Sequence, residues 1–187
     1  CIGTLGVIPL SVHTVPTQVM MVGFMFPLGI GIALAVRLGA TLPRCAKRAK
    51  RLTIGCYIGS TLLFGAFSIC IYLGRSFIFS IFTNEPEVLE GCERIWWKVS
   101  VFYFNLSVYG INMGIATGLG KQWMFGIVTF IFLWVFSLPG MYYFAILKGG
   151  GLDMAWSCVY YPYIAMNVYF LYAFWSEDWE LIRIDIQ

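Results

Sequence analysis

Five apolar stretches without a charged residue, 17–36, 52–74, 99–120, 122–147 and 154–176, alternate with short polar connectors. Each is long enough for a helix to cross a bilayer. Hydrocarbon offers no partner to backbone N–H and C=O groups, so such a stretch must close its own bonds as a helix or belong to a closed barrel. The runs lack period-2 alternation, which selects helix. Only 11% of residues are charged and mean hydropathy is +0.81, whereas a soluble domain carries roughly 25% charge. The fold class is therefore an all-α integral membrane protein, a bundle of five transmembrane helices. The spans fall at about 17–36, 52–82, 97–120, 122–147 and 154–176. Residues 1–15 are too short to span and end at Pro16; they read as the end of a truncated helix.

Orientation follows from lysine and arginine. Arg37, Arg44, Lys47, Arg48, Lys50 and Arg51 crowd the 37–51 connector, which the positive-inside rule assigns to the cytoplasm. Alternation then puts the 84–93 loop, with Glu85, Glu87, Glu90 and Glu93, outside, Lys121 inside, the Lys148–Gly151 turn outside and the 177–187 tail in the cytoplasm. Trp96, Trp97, Trp175 and Trp179 fall near predicted span ends, where amphipathic rings favour the headgroup layer. The basic cluster reads first as a topology signal, with attraction of anionic lipid as the second reading, and no nucleic-acid partner is expected.

Ionic chemistry is sparse. Cys1, Cys45, Cys56, Cys70, Cys92 and Cys158 show no C-x-x-C spacing, so neither a disulfide framework nor a zinc site is indicated, and no metal or cofactor is expected. His13 is the lone histidine and reads as a helix-end residue. Asn105-Leu106-Ser107 matches a glycosylation pattern but lies within a span, out of the transferase's reach. Paired aspartates, His-x-x-x-His and serine-base arrangements are missing from the spans, which argues against a membrane-embedded enzyme.

The spans carry their information in small and polar residues. Gly110, Gly114 and Gly118 recur every four positions and line one face of a helix, where they permit close approach of a second helix. Asn105, Ser107, Tyr109, Asn112 and Thr117 occupy neighbouring faces, and either bond to other helices or line a wet cavity. Asn112 is about 160° around the helix from Gly114, so one face can pack while another meets such a cavity. Pro27, Pro139 and Pro162 lie within spans and remove backbone donors, which bends helices.

The run FMFPLGIGIALAVRLGATL (24–42) carries a Pro-x-Gly span into an Arg-x-Gly-x-x-Leu turn, with Pro27, Gly29, Arg37, Gly39 and Leu42 at the key positions. AKRA (46–49), IFTNEPEV (81–88), GINMGIATGLGKQ (110–122) and WSEDWE (175–180) follow in order. Together they resemble the C-terminal half of the multidrug and toxic compound extrusion (MATE) family. The resemblance covers essentially all of 1–187 and implies a single transmembrane lobe, whose partner N-terminal lobe is missing from this chain.

That resemblance implies a secondary active antiporter: two lobes rock around a central cavity and export organic, often cationic, solutes in exchange for protons or sodium. Gln18, Asn105, Tyr109 and Asn112 are the substrate-cavity candidates it suggests. The sequence also departs from the pattern. Leu106 stands where members often carry an acid, Gln18 stands at another acidic or polar position, and the turn after Leu42 lacks Gly-Ala-Gly and passes to Pro43-Arg44. Ion coupling is thus expected to depend on residues upstream of Cys1. Two alternatives stand beside this reading: a lipid-linked saccharide flippase-like member of the superfamily, which would want basic cavity residues, and a non-transporting structural subunit of the membrane.

Overall fold

In a computed structural model, the residues described, 7–82 and 85–186, are helical without a strand among them. They form α1 (Val7–Thr41), α2 (Ala46–Leu73), α3 (Arg75–Phe82), α4 (Pro86–Gly118), α5 (Gln122–Leu147), α6 (Gly151–Ser176) and α7 (Trp179–Ile186). Four of these, α1 from Pro9, α2, α4 and α5, are long and apolar enough to cross a membrane. The 26-residue α6 is as long as α5, but five tyrosines and two tryptophans would lower its hydropathy within any scale that counts them as polar. The chain is a multi-pass helical membrane protein.

Several boundaries differ from the sequence expectation. Pro16 does not divide the first segment: α1 runs through it as one 35-residue helix. Residues 1–6, part of the expected truncated helix, lie outside those described, as do 83–84 and Gln187. The expected 52–82 span breaks at Gly74 into α2 and α3. The acidic segment expected as a loop is instead the first turns of α4, with Pro86 at the helix start and Glu87 in the first turn. Proline there gives up a donor that would be unused anyway, and a carboxylate suits the positive helix end. Part of the expected tail is α7, whose Trp179 and Ile182 pack on the same core as Ala46 and Ala49 of α2.

The bundle is organised around α4. In its most apolar window 67% of residues are buried, against 22% for α1 and 11% each for α2 and α5, so α4 is the inner helix and the others form its shell. Each neighbour is tied to it. Ser68 of α2 donates to the Ser100 carbonyl at 2.7 Å, and Trp96 of α4 donates its indole N–H to the Ile71 carbonyl at 3.0 Å. Trp96 is therefore core, fully buried and edge-on to Phe79, and Trp179 is buried too; of the four tryptophans expected at the headgroup layer, Trp97 and Trp175 are the exposed ones.

Three prolines inside helices explain much of this stitching. A proline at position i cannot bond the carbonyl of i−4, and in hydrocarbon that carbonyl needs another donor. Pro16 frees Val12, whose carbonyl faces the Cys92 thiol at 3.8 Å. Pro27 frees Gly23, whose carbonyl accepts from the Tyr103 hydroxyl at 3.3 Å. Pro162 of α6 frees Cys158, whose carbonyl accepts from Ser137 of α5 at 2.7 Å. Each gap is filled from another helix, so the prolines join helices as well as bend them. Pro139 behaves differently: it sits in a short α-helical stretch, Leu138–Met141, between the π-helical segments Ile131–Ser137 and Tyr142–Leu147. Wide turns around a proline relieve the crowding of its ring against the preceding turn.

The connections collect at two ends. The α1–α2, α4–α5 and α6–α7 turns share one end, where Lys121 pairs with Glu177 and Lys47 and Glu180 border the same space. Gly120, at φ 72°, lets the α4–α5 turn close with a Lys121 N–H to Ala116 carbonyl bond of 2.7 Å. At the other end Lys98 of α4 is buried but meets Asp153 of α6 at 2.6 Å, and also donates to the Asp153 carbonyl and to Ser157 at 3.1 and 2.9 Å.

Candidate functional site

Between α1, α4 and α6, with Met141 of α5 at its edge, lies a cavity of about 310 Å3. Its walls are aromatic and aliphatic because the helices turn bulky residues toward one another where α1 leaves the glycine contact. Phe102 stands edge-on to Tyr163 (centroids 5.0 Å, 86°) and to Trp156 (5.9 Å, 76°), and Trp156 lies 5.4 Å from the His13 ring. Thr17, Met20 and Phe24 of α1 complete the side facing α6. Among the described residues, no Lys, Arg, Asp or Glu lines this cavity.

His13 supplies its polar handle. The Thr17 hydroxyl donates to the His13 carbonyl at 2.7 Å, so toward the ring, 3.3 Å from Nε2, it acts as acceptor. The hydrogen-bond network thus assigns the proton to Nε2 and leaves a lone pair on Nδ1, a buried atom with no partner. A histidine expected at a helix end is instead part of the cavity wall, in the second turn of α1. Its sequence signal was weak, since nothing else ionic stands near it in the chain.

None of the four cavity candidates from sequence is among the residues lining this space, and only Asn105 and Asn112 are brought together, through Asn167. Gln18 is on the exposed side of α1, in register with Gly29 eleven residues on, about 20° around the helix. Asn112 is completely buried and donates to Asn167 Oδ1 at 3.1 Å, while Asn167 Nδ2 donates to the Asn105 carbonyl at 2.8 Å. The Asn105 side chain turns back to the Val101 carbonyl at 2.9 Å. The Asn112 side chain thus bonds across to α6, while the Asn105 side chain bonds within α4 and only its carbonyl takes part in the contact between helices. Tyr109 packs between Phe125 and Tyr163, at 5.0 and 5.4 Å, with its hydroxyl 3.4 Å from Thr129. Asn167 was overlooked, although an asparagine between Met166 and Val168 in an apolar run is the same signal that marked Asn112.

The three glycines face α1. A Cβ on Gly114 would run into the Gly31 backbone, its Cα at 2.6 Å, and one on Gly31 would strike the Gly110 carbonyl. One on Gly118 would meet Leu38 Cβ at 2.7 Å, and one on Gly110 would press on Phe24 and Pro27 at 3.2 and 3.4 Å. The partner numbers rise together, so α1 and α4 run parallel. Pro27 is buried in this contact, whereas Gly29 and Gly39 face open space and Arg37 is exposed. Among the described residues no cluster of three or more His, Cys, Asp or Glu side chains could hold a metal.

A helical membrane bundle with an inner helix, proline-broken partners and an aromatic cavity has the architecture of one lobe of a transporter. The crystal structure of the eukaryotic MATE transporter AtDTX14 superposes on 94% of this chain with a TM-score of 0.87 at 16% identity, using 39% of its own length. Residues 1–143 match the MatE family, and the chain belongs to it. Multidrug and toxin extrusion protein 2 of Oryctolagus cuniculus is 28% identical over 193 residues, which cover 99% of this chain and 31% of that protein. Multidrug resistance protein MdtK of Proteus mirabilis is 26% identical over 142 residues, covering 75% of this chain and 31% of its own length. The chain spans about a third of the length of these curated relatives.

Proposed function

We propose that this chain is the C-terminal lobe of a secondary active antiporter that exports organic cations in exchange for protons or sodium, and that its cavity receives part of the solute. Membership of the MatE family and the names of the relatives support the transport role. The observation that carries the solute class is the cavity itself: aromatic rings of Phe102, Trp156 and Tyr163 attract a cation through their quadrupoles, and the His13 ring, whose buried Nδ1 has no partner, turns toward the solute to accept from an N–H donor. A wall without Lys or Arg gives a pyrophosphate head nothing to bind, which disfavours the flippase-like reading. Gln18, Met25 and Gly29 form an exposed stripe on α1, and in this reading that stripe meets the opposing lobe, with Gln18 at the central cleft.

The test is uptake of a fluorescent organic cation into proteoliposomes containing the full-length transporter, driven in turn by a pH and a sodium gradient. Trp156→Ala should lower uptake at subsaturating solute roughly thirtyfold, since a desolvated cation–π contact contributes about 2 kcal/mol. His13→Leu should reduce uptake of solutes bearing N–H donors and leave quaternary ammonium solutes almost unaffected. Unchanged uptake in both variants would remove the cavity from the transport path, and no gradient-driven uptake by the full-length protein would end the antiporter reading.

A further inference from the structure

At the basic end of the bundle, two spaces join between α2, α6 and α7. A polar mouth of about 410 Å3 is bordered by Lys47 and Lys50 of α2 and by Glu177, Asp178 and Glu180. An apolar slot of about 110 Å3 continues along α2, between Ile54, Tyr57 and Ile58 on one side and Leu171 and Phe174 on the other. Lys50 and Trp179 line both, so the polar mouth and the apolar slot adjoin at these two side chains as one amphipathic groove.

Three carboxylates at the mouth look adequate to neutralise the two lysines, but each is engaged elsewhere. Glu177 pairs with Lys121. Asp178 Oδ1 accepts the backbone N–H groups of Glu180 and Leu181 at 3.0 and 3.4 Å, holding the start of α7. Glu180 pairs with Arg183 at 3.3 Å. Among the described residues no salt bridge engages Lys47 or Lys50. Asp178 is thus the one carboxylate at the mouth without a cation partner, so two lysines face one such charge and a positive surplus sits at the polar rim of an apolar slot that opens where the span Ala46–Leu73 begins. From Lys50 to Ile58 the slot runs about 12 Å along the helix, the direction an acyl chain takes from the headgroup layer into hydrocarbon. Exposed Trp175 beside it suits the same layer.

We propose that this groove is a binding site for one anionic phospholipid, whose phosphate is held by Lys47 and Lys50 and one of whose acyl chains lies between Ile54, Ile58, Leu171 and Phe174. Charge and shape make separate demands: the lysines require an anion, and the slot requires a chain attached to it. The site is independent of the solute cavity, which lies in the other half of the bundle among α1, α4 and α6.

The experiment measures lipid retained by the full chain purified from mixed phosphatidylglycerol and phosphatidylcholine micelles, by native mass spectrometry, with thermal melting confirming that each variant is folded. One phosphatidylglycerol per chain should be retained, with phosphatidylcholine at least tenfold weaker. Lys47→Gln with Lys50→Gln should weaken retention roughly tenfold or more, near the effect of two cations on anionic lipid. Ile58→Trp, which fills the slot and leaves the charge alone, should weaken it several-fold. Arg44→Gln with Arg48→Gln, cations outside the groove, should change it less than twofold. Equal losses from the arginine and lysine pairs would mean a diffuse surface charge and overturn the site. Full retention in Ile58→Trp, or competition by glycerol phosphate as effective as by the lipid, would leave a simple phosphate contact and overturn the lipid assignment.

Discussion

The two sides of α4 close on their neighbours by opposite means. Toward α1, side chains are withdrawn: Gly31, Gly110 and Gly114 bring backbones together, and any added atom meets main chain. Toward α6, polar side chains reach across, with Asn112, Asn167 and the Asn105 carbonyl in one group and Lys98, Asp153 and Ser157 in another. In lipid there is no hydrophobic drive to hold helices together, so contact must come from van der Waals fit or from hydrogen bonds. One helix here uses each on a different face. The α1 face should be far more sensitive to volume than to polarity, since its polar bonds are confined to the proline-freed carbonyls of Val12 and Gly23, and the α6 face the reverse.

The strongest way to break that contrast is volume on the α1 face. Gly114→Leu should destabilise the detergent-solubilised protein by roughly 3 kcal/mol or more, because backbone cannot yield as a flexible side chain does. Gly126→Leu on α5, where a Cβ meets open space, should melt within a degree or two of the parent. If both leucines are equally tolerated, the close seam is not what holds α1 to α4. Next comes Lys98→Met, which removes charge-assisted bonds and leaves Asp153 half-exposed and unpaired; a loss of about 1.5–3 kcal/mol is expected. Moving the charge to position 102, as Phe102→Lys in the same background, should not restore the melting temperature.

Asn167→Leu keeps the volume of the α6 face and deletes its bonds, so it should cost about 1–2 kcal/mol, and Asn112→Leu added to it should cost much less than it does alone. Additive losses would show that the two asparagines act independently. The smallest effect concerns the proline-freed carbonyl: Tyr103→Phe should cost about 0.6 kcal/mol in the parent. In a Pro27→Ala background, where the restored backbone N–H at position 27 can serve the Gly23 carbonyl, the same change should be neutral. An equal loss in both backgrounds would separate the tyrosine from the proline.

What the sequence made legible follows the same division. The glycine spacing marked a packing face because only backbone periodicity is needed to see it, but nothing local to 110–118 named α1 as the partner, since that contact joins residues far apart in the chain. The charge-free runs mark the long helices but not where those helices end. Pro16 was read as a divider because a lone proline removes a helix bond, and the thiol of Cys92 that faces the freed carbonyl is a long-range fact. The glutamates before Trp96 read as loop because they are unfit for hydrocarbon, but a helix can continue beyond the membrane. His13 and Asn167 drew little notice as single polar residues, and it is the crossing of α1, α4 and α6 that gives each its role. The π-helical turns of α5 have no counterpart in composition at all.

The freed carbonyls of α1 set an order of events at birth. Val12 and Gly23 each await a partner 80 residues later in the chain. At ribosomal speeds of about 5–20 residues per second, α1 spends on the order of ten seconds in or beside the translocon before Cys92 and Tyr103 emerge. During that interval water, lipid headgroups or the translocon wall must serve these two carbonyls, and α1 is expected to stay at the protein-lined lateral gate until α4 arrives. Site-specific crosslinking of stalled nascent chains would show it: α1 should release into lipid when the chain is long enough to expose Tyr103, and release long before that point would mean the helix settles without its partner.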